Sequence, residues 1–201
     1  MPLLGGAASA AATAVGGRAG VRGLGGFLAD LNDSGLEGAL RSTGLEELVG
    51  RDRYDLIDPL ITKLVGTGGD LDSSAARDAL CDVLDELFAG AESWEELNDP
   101  TRSMVDADQL LQLLESYLAH YIYNRVPVIA ERLGRIADPA LLRQADRDMR
   151  TVIEDCVTLK LREISAPLQV DWRGPEGTKV ANETMEYAYR MLSDIEPEAS
   201  P

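Results

Sequence analysis

The chain has 201 residues, 35 of them acidic and 19 basic, for a formal charge of −16. That length supports one domain with a sizeable core, while the charge opposes the phosphate neutralisation that nucleic-acid affinity requires and disfavours docking on anionic lipid. With no run of ~18 apolar residues to span a bilayer, the composition points to a soluble protein whose partners are proteins, a basic one above all.

Residues 1–26 are dominated by Gly and Ala, with Gly5-Gly6, Gly16-Gly17, Gly20, Gly23 and Gly25-Gly26 and no acidic side chain before Asp30. Glycine is entropically expensive to order and has no side chain to bury, so this stretch is expected to be a flexible tail. The helical domain is expected over 27–195, with a disordered C-terminus over 196–201. Arg18 follows the Ala/Gly run instead of preceding it, which is the wrong order for a secretory signal, and a cytoplasmic location is expected. The glycines do not form a phosphate loop either, because no Gly-Lys-Ser/Thr follows them. Gly66-Thr67-Gly68-Gly69 reads as a turn.

From Phe27 to Gly50 the glycines predict short helices only. Tyr54 to Val65 places Ile57, Leu60, Ile61, Leu64 and Val65 at helical spacing, with Pro59 either in a first turn behind Asp58 or at a bend. The next helix has Asp72 or Ser73 as cap, Leu80, Val83, Leu84, Leu87 and Phe88 as its apolar stripe, and Gly90 to close it. Its other face carries Asp82, Asp85 and Glu86, a solvated acidic face, an acid and base pair, or a site for a hard cation. An acidic loop follows, with Trp94 tacking it to the core.

A long helix is predicted from about Val105 to Arg125, and advancing about 100° per residue gathers Leu110, Leu113, Leu114, Tyr117, Leu118, Tyr121 and Ile122 on one side. Asn124 and Arg125 fall on that same side and Tyr123 on the polar one. Pro127 lacks an N–H, so the Tyr123 carbonyl needs another donor. Two readings of the polar pair stand: Asn124 and Arg125 satisfy backbone at a helix bend, or Arg125 anchors a carboxylate on another helix or on a partner protein. Beyond Pro127, Val128, Ile129, Leu133 and Ile136 predict a continuing or restarted helix that ends at Ala137. Asp138-Pro139 then starts another, running to about Ile164 with Leu142, Ala145, Met149, Val152, Ile153, Cys156 and Leu159 or Lys160 inward. After a Pro/Gly-rich loop with a short extended piece at 168–172, a last helix covers Thr178 to Ser193 on Val180, Ala181, Met185, Ala188 and Leu192. The predicted class is all-α, a single-domain bundle of five to seven helices.

Chemistry is sparse. His120 is the sole histidine, nothing in the spacing joins it to Cys81, Cys156 or a serine as base and nucleophile, and neither cysteine has a second ligand near it in sequence for zinc. The chain is expected not to be an enzyme and to use no cofactor or metal.

Glu115-x-Tyr117-Leu118-Ala119 followed by Tyr123-Asn124-Arg125 resembles the central segment of the QatB family, the B components of the four-protein Qat anti-phage defence system. The helix Ala75-Ala76-Arg77-Asp78-Ala79-Leu80-x-Asp82-x-Leu84 resembles the family's preceding helix. The order of elements agrees over about residues 7 to 192. Two departures stand out: family members carry a longer Pro-rich front end, and residues 165–178 here are richer in Pro, Gly and Trp. The resemblance implies a non-catalytic subunit that works beside an ATPase, a QueC-like protein and a TatD-like nuclease. The QueC-like protein is the first candidate as direct partner. Glu115, Tyr117, Tyr123, Asn124 and Arg125 are then candidate partner-binding residues, and Gly5 and Gly6 the candidate place of processing or modification. The rival expectation is a free-standing acidic regulator, an antitoxin or inhibitor masking a basic partner.

Overall fold

The computed structural model describes residues 7–100, 105–125, 134 and 136–194. Among them are α1 (Ala7–Ala12), α2 (Val15–Thr43), α3 (Arg53–Val65), α4 (Leu71–Leu87), α5 (Trp94–Leu97), α6 (Ala107–Arg125), α7 (Pro139–Leu161) and α8 (Pro175–Asp194), with 3-10 turns at Glu46–Leu48 and Pro167–Gln169 and no strand. Six of these helices are long and two are single turns, which is the all-α bundle expected. Asp138 starts α7 as predicted, its carboxylate accepting from the Ala140 and Leu141 amides. Ser93 and Glu96 form a reciprocal capping box that turns part of the acidic loop into α5.

The boundary expected at residue 26 lies elsewhere. The Gly/Ala stretch is helical from Ala7, and from Val15 it forms the part of α2 that precedes a break at Gly35. Gly16, Gly17, Gly20, Gly25 and Gly26 are buried. Their value lies in what they lack: a Cβ on Gly17 would overlap Tyr121 and Met185, one on Gly20 would overlap the Tyr117 ring, and one on Gly25 would stand 2.6 Å from the Trp172 ring. Without side chains there, α2 lets three aromatic rings rest on its backbone. Packing enthalpy from those rings replaces the burial the glycines cannot supply. Residues 1–6 and 195–201 lie outside the described residues, as does most of the helix expected from Val128 to Ala137; Ile136 and Ala137, at its expected end, are not helical.

Helix α2 packs on α3, α4, α6 and α8, and α6 packs in turn on α4 and α7. The largest fully buried side chains, Trp172, Tyr117, Tyr121, Tyr189 and Phe27, mark the centre. Between Phe27 and Gly50 the first helix runs on to a break at Gly35, whose φ of 68° and ψ of −177° depart from helical values, and short helical pieces follow as expected, over 36–43 and Glu46–Leu48. Pro59 sits inside α3. On α7 only Ile153, Cys156, Val157 and Leu161 are buried; Leu142, Ala145, Met149 and Val152 are half-covered, and Leu159 is exposed. The extended piece expected at 168–172 is a turn that delivers Trp172 to the core, its indole N–H donating to the Pro167 carbonyl at 2.8 Å. No helix among the described residues is long and apolar enough to cross a membrane.

Candidate functional site

Helix α2 begins without a capping side chain of its own, since its N-cap position is Ala14. Asp72, in the first turn of α4, supplies one from outside: its Oδ2 accepts the Gly16 N–H at 2.6 Å. A carboxylate at a helix N-terminus satisfies an orphan amide and meets the positive end of the helix dipole. The other oxygen, Oδ1, accepts the Tyr121 hydroxyl at 2.5 Å and the Arg125 Nε–H at 2.6 Å. Tyr117 closes the same turn by donating its hydroxyl to the Gly16 carbonyl at 3.0 Å.

Arg125 is the reach of α6 into this cluster. Its Nη1 donates to the Ala10 carbonyl at 2.9 Å and to the Tyr189 hydroxyl at 3.0 Å, and its Nη2 donates to Thr13 Oγ1 at 2.8 Å. The guanidinium carbon stands 5.9 Å from the Tyr121 ring centre and 5.8 Å from that of Tyr189, within cation–π range. Desolvation works against its charge, but the facing Tyr189, Tyr121 and Asp72 outweigh it and raise its pKa. Burial, above all, pushes the Tyr117, Tyr121 and Tyr189 hydroxyls up. They stay protonated, Tyr117 and Tyr121 donating and Tyr189 accepting from Arg125.

A second arginine completes the clamp. Arg18 Nη1 donates to the Ala11 carbonyl at 2.7 Å and Nη2 to the Ala12 carbonyl at 3.0 Å. The last three carbonyls of α1 are thus held by two guanidinium groups, the favourable pairing for a helix C-terminus. Helix α1 lies against α8 with Ala10 and Ala11 buried.

The candidate residues divide. Tyr117 and Arg125 meet at this cluster, on either side of Gly16 and Asp72. Tyr117 is fully buried and presents no surface. Arg125 finds the carboxylate on another helix that one reading called for, and the Tyr123 carbonyl is not among its acceptors; Pro127, the predicted cause of a bend, lies outside the described residues. Asn124 is exposed, not on the buried stripe, because the core contact of α6 ends at Ile122 and only the long Arg125 side chain reaches back. Tyr123 is half-buried against α7, donating to Asp146 with Arg150 stacked 3.7 Å from its ring centre. Glu115 is half-buried on the opposite side of α6, in a groove of about 300 Å³ shared with Glu86, His120 and Glu154. Gly5 and Gly6 lie outside the described residues. Asp72 reads in the sequence only as a cap for its own helix and Tyr121 only as part of the apolar stripe, while Tyr189 and Thr13 carry no signal of their own, since each meets Arg125 only through elements distant along the chain. Of the acidic face on α4, Asp85 bonds Arg53 at 2.6 Å, and Asp82 stands 3.3 Å from His120 Nδ1 without the alignment of a hydrogen bond.

The family model described as Qat anti-phage system associated protein QatB matches residues 5–192. The chain belongs to the QatB family. It is therefore a component of the Qat anti-phage defence system and works with other proteins of that system. Among curated proteins and among solved structures, nothing matches it significantly. The QatB match takes in α1 and the whole of α2, so the Gly/Ala stretch belongs to the family unit and is not an appendage to it.

Proposed function

We propose that this QatB-family chain is a non-catalytic, protein-binding subunit of the Qat system, and that its QueC-like partner processes or modifies the segment at Gly5-Gly6. The clamp on α1 is the observation that carries this reading. A six-residue helix is far below the length that persists alone in water, yet here Arg125 and Arg18 hold its three terminal carbonyls. Gly5-Gly6 immediately precede this held helix in the sequence, so an enzyme that recognises the folded domain would be docked on the part of the chain next to them. Glycine also lets an active site close on the backbone itself. A QueC-like enzyme uses ATP to activate a carboxyl group for attack by nitrogen; no acidic side chain precedes Asp30, so this segment enters that reaction either through a carboxyl freed by cleavage at the glycines or as the attacking nitrogen. The −16 charge favours a partner with a basic docking face.

Intact mass spectrometry of the chain co-expressed with the other Qat components tests this. The expected result is a mass change that maps to the first residues and is lost in the Gly5→Ala/Gly6→Ala double variant. An unaltered mass in cells that resist phage overturns the modification, and failure of any Qat protein to co-purify overturns the binding role.

A further inference from the structure

In a chain of 35 acidic residues, cations are expected to be paired, and most are. Arg41 pairs with Glu37, Arg53 with Asp85, Arg77 with Asp58, Arg150 with Asp146, Lys160 with Glu163 and Arg190 with Glu186. Arg22 and Lys63 are among the described cations without an ion pair, and Arg173, which pairs with Asp30, joins them. Arg22, Lys63 and Arg173 face a single cavity of about 380 Å³, whose lining includes the Ser42 and Thr43 residues and no carboxylate. Lys63 has no ion-pair partner among the described residues.

The break in α2 creates this cavity. A continuous helix would put Ser42 about 30 Å from Arg22, but the turn at Gly35 brings the end of α2 back beside its own beginning, so that both line the same space. Gly23 forms part of the wall where α2 meets α3; a Cβ there would stand 2.7 Å from the Leu64 carbonyl. Two of the cations are held in place. Arg22 donates from Nε and Nη2 to the Arg173 carbonyl, the former at 3.0 Å, and Arg173 Nη2 donates to Asp30 at 2.7 Å. These bonds do not use Nη1 of either arginine, and Lys63 of α3 lines the same cavity.

We propose that this cavity binds a small phosphate-bearing anion, a pyrophosphate or nucleoside phosphate in size. Its volume lies in the range of small-molecule pockets. Three cations exceed what one carboxylate needs, and planar guanidinium forks suit phosphate oxygens. An extended nucleic-acid strand would need a basic stripe, which a surface of −16 does not supply.

Calorimetric titration of the full chain with inorganic pyrophosphate, AMP, citrate and adenosine, at constant ionic strength, tests the assignment. Pyrophosphate and AMP are expected to bind saturably and to compete, with adenosine silent. Lys63→Gln is expected to weaken both about tenfold with an unchanged melting temperature, because Lys63 is exposed and holds no other element. Lys179→Gln removes the same charge elsewhere and is expected to change nothing. No saturable binding up to ~10 mM, equal binding by Lys63→Gln, or adenosine binding as well as AMP overturns the site. Citrate binding as tightly as pyrophosphate overturns the phosphate assignment.

Discussion

Arg125 Nε lies 2.6 Å from Asp72 Oδ1, joining the last residue of α6 to the first turn of α4 with both side chains mostly shielded from water. The pair stands between three segments: Asp72 caps α2, and Arg125 reaches α1 and α8. Removing one partner of such a pair leaves the other charge uncompensated. Arg125→Ala is therefore expected to cost about 3 kcal/mol in urea unfolding, and Asp72→Ala a similar amount. The double variant should lose markedly less than the two together. Additive losses would show that the pair does not act as a unit.

The buried glycines of α2 are expected to be intolerant in proportion to what rests on them. Gly20→Ala forces a methyl group into the Tyr117 ring, an overpacking expected to cost 3 kcal/mol or somewhat more, at about the upper end for such changes. Gly69→Ala meets nothing within 4 Å and involves no positive φ. It is expected to be neutral or to stabilise by roughly 0.5 kcal/mol through the unfolded chain. Thermal melts of the two variants give the comparison.

Acid stability should carry the signature of Asp146. The hydrogen bond from Tyr123 above all, with Arg150 and Arg147 adding to it, holds its carboxyl below the ordinary 3.8 against the opposing effect of burial. A carboxyl depressed in the folded state contributes stability that is fully present above its unfolded pKa, and that contribution is lost as the pH falls through the lower folded value. Tyr123→Phe is expected to move the Asp146 pKa back toward 3.8 and to flatten the fall in stability below about pH 4. Carboxyl NMR titration and melts across that range provide the check.

Cys81 and Cys156 are both free thiols, the first half-buried and the second buried. Burial pushes each thiol pKa up, with Asp85, Asp82 and Asp78 adding to Cys81 and Asp155 to Cys156. Since the thiolate is the reactive form, a disulfide reagent at pH 8 is expected to label the native chain at least about ten times more slowly than a free thiol. Both thiols should titrate promptly in guanidinium. Fast native labelling of Cys156 would show that the α7 face opens in solution.

Much of the architecture was legible from side-chain spacing. Leu110, Leu113, Leu114, Tyr117, Leu118, Tyr121 and Ile122 repeat at helical period and are all buried, because a stripe of apolar groups has only one stable place to go. Asp138-Pro139 started α7 for equally local reasons. The motif around Tyr117 and Arg125 identified the family from a few residues, and the QatB match agrees. What spacing could not supply was the role of residues that work by fitting another element. The glycines of α2 read as a flexible tail, since a missing side chain is a cost until an aromatic ring from α6 or the Trp172 turn comes to rest on it. Asp72 read as a cap for its own helix, yet it caps α2, and only the packing of α2 against α4 brings Gly16 to it. Helical periods are properties of neighbouring residues. The clamp on α1 and the three-cation cavity at the Gly35 turn are properties of distant ones, and the tertiary structure alone decided them.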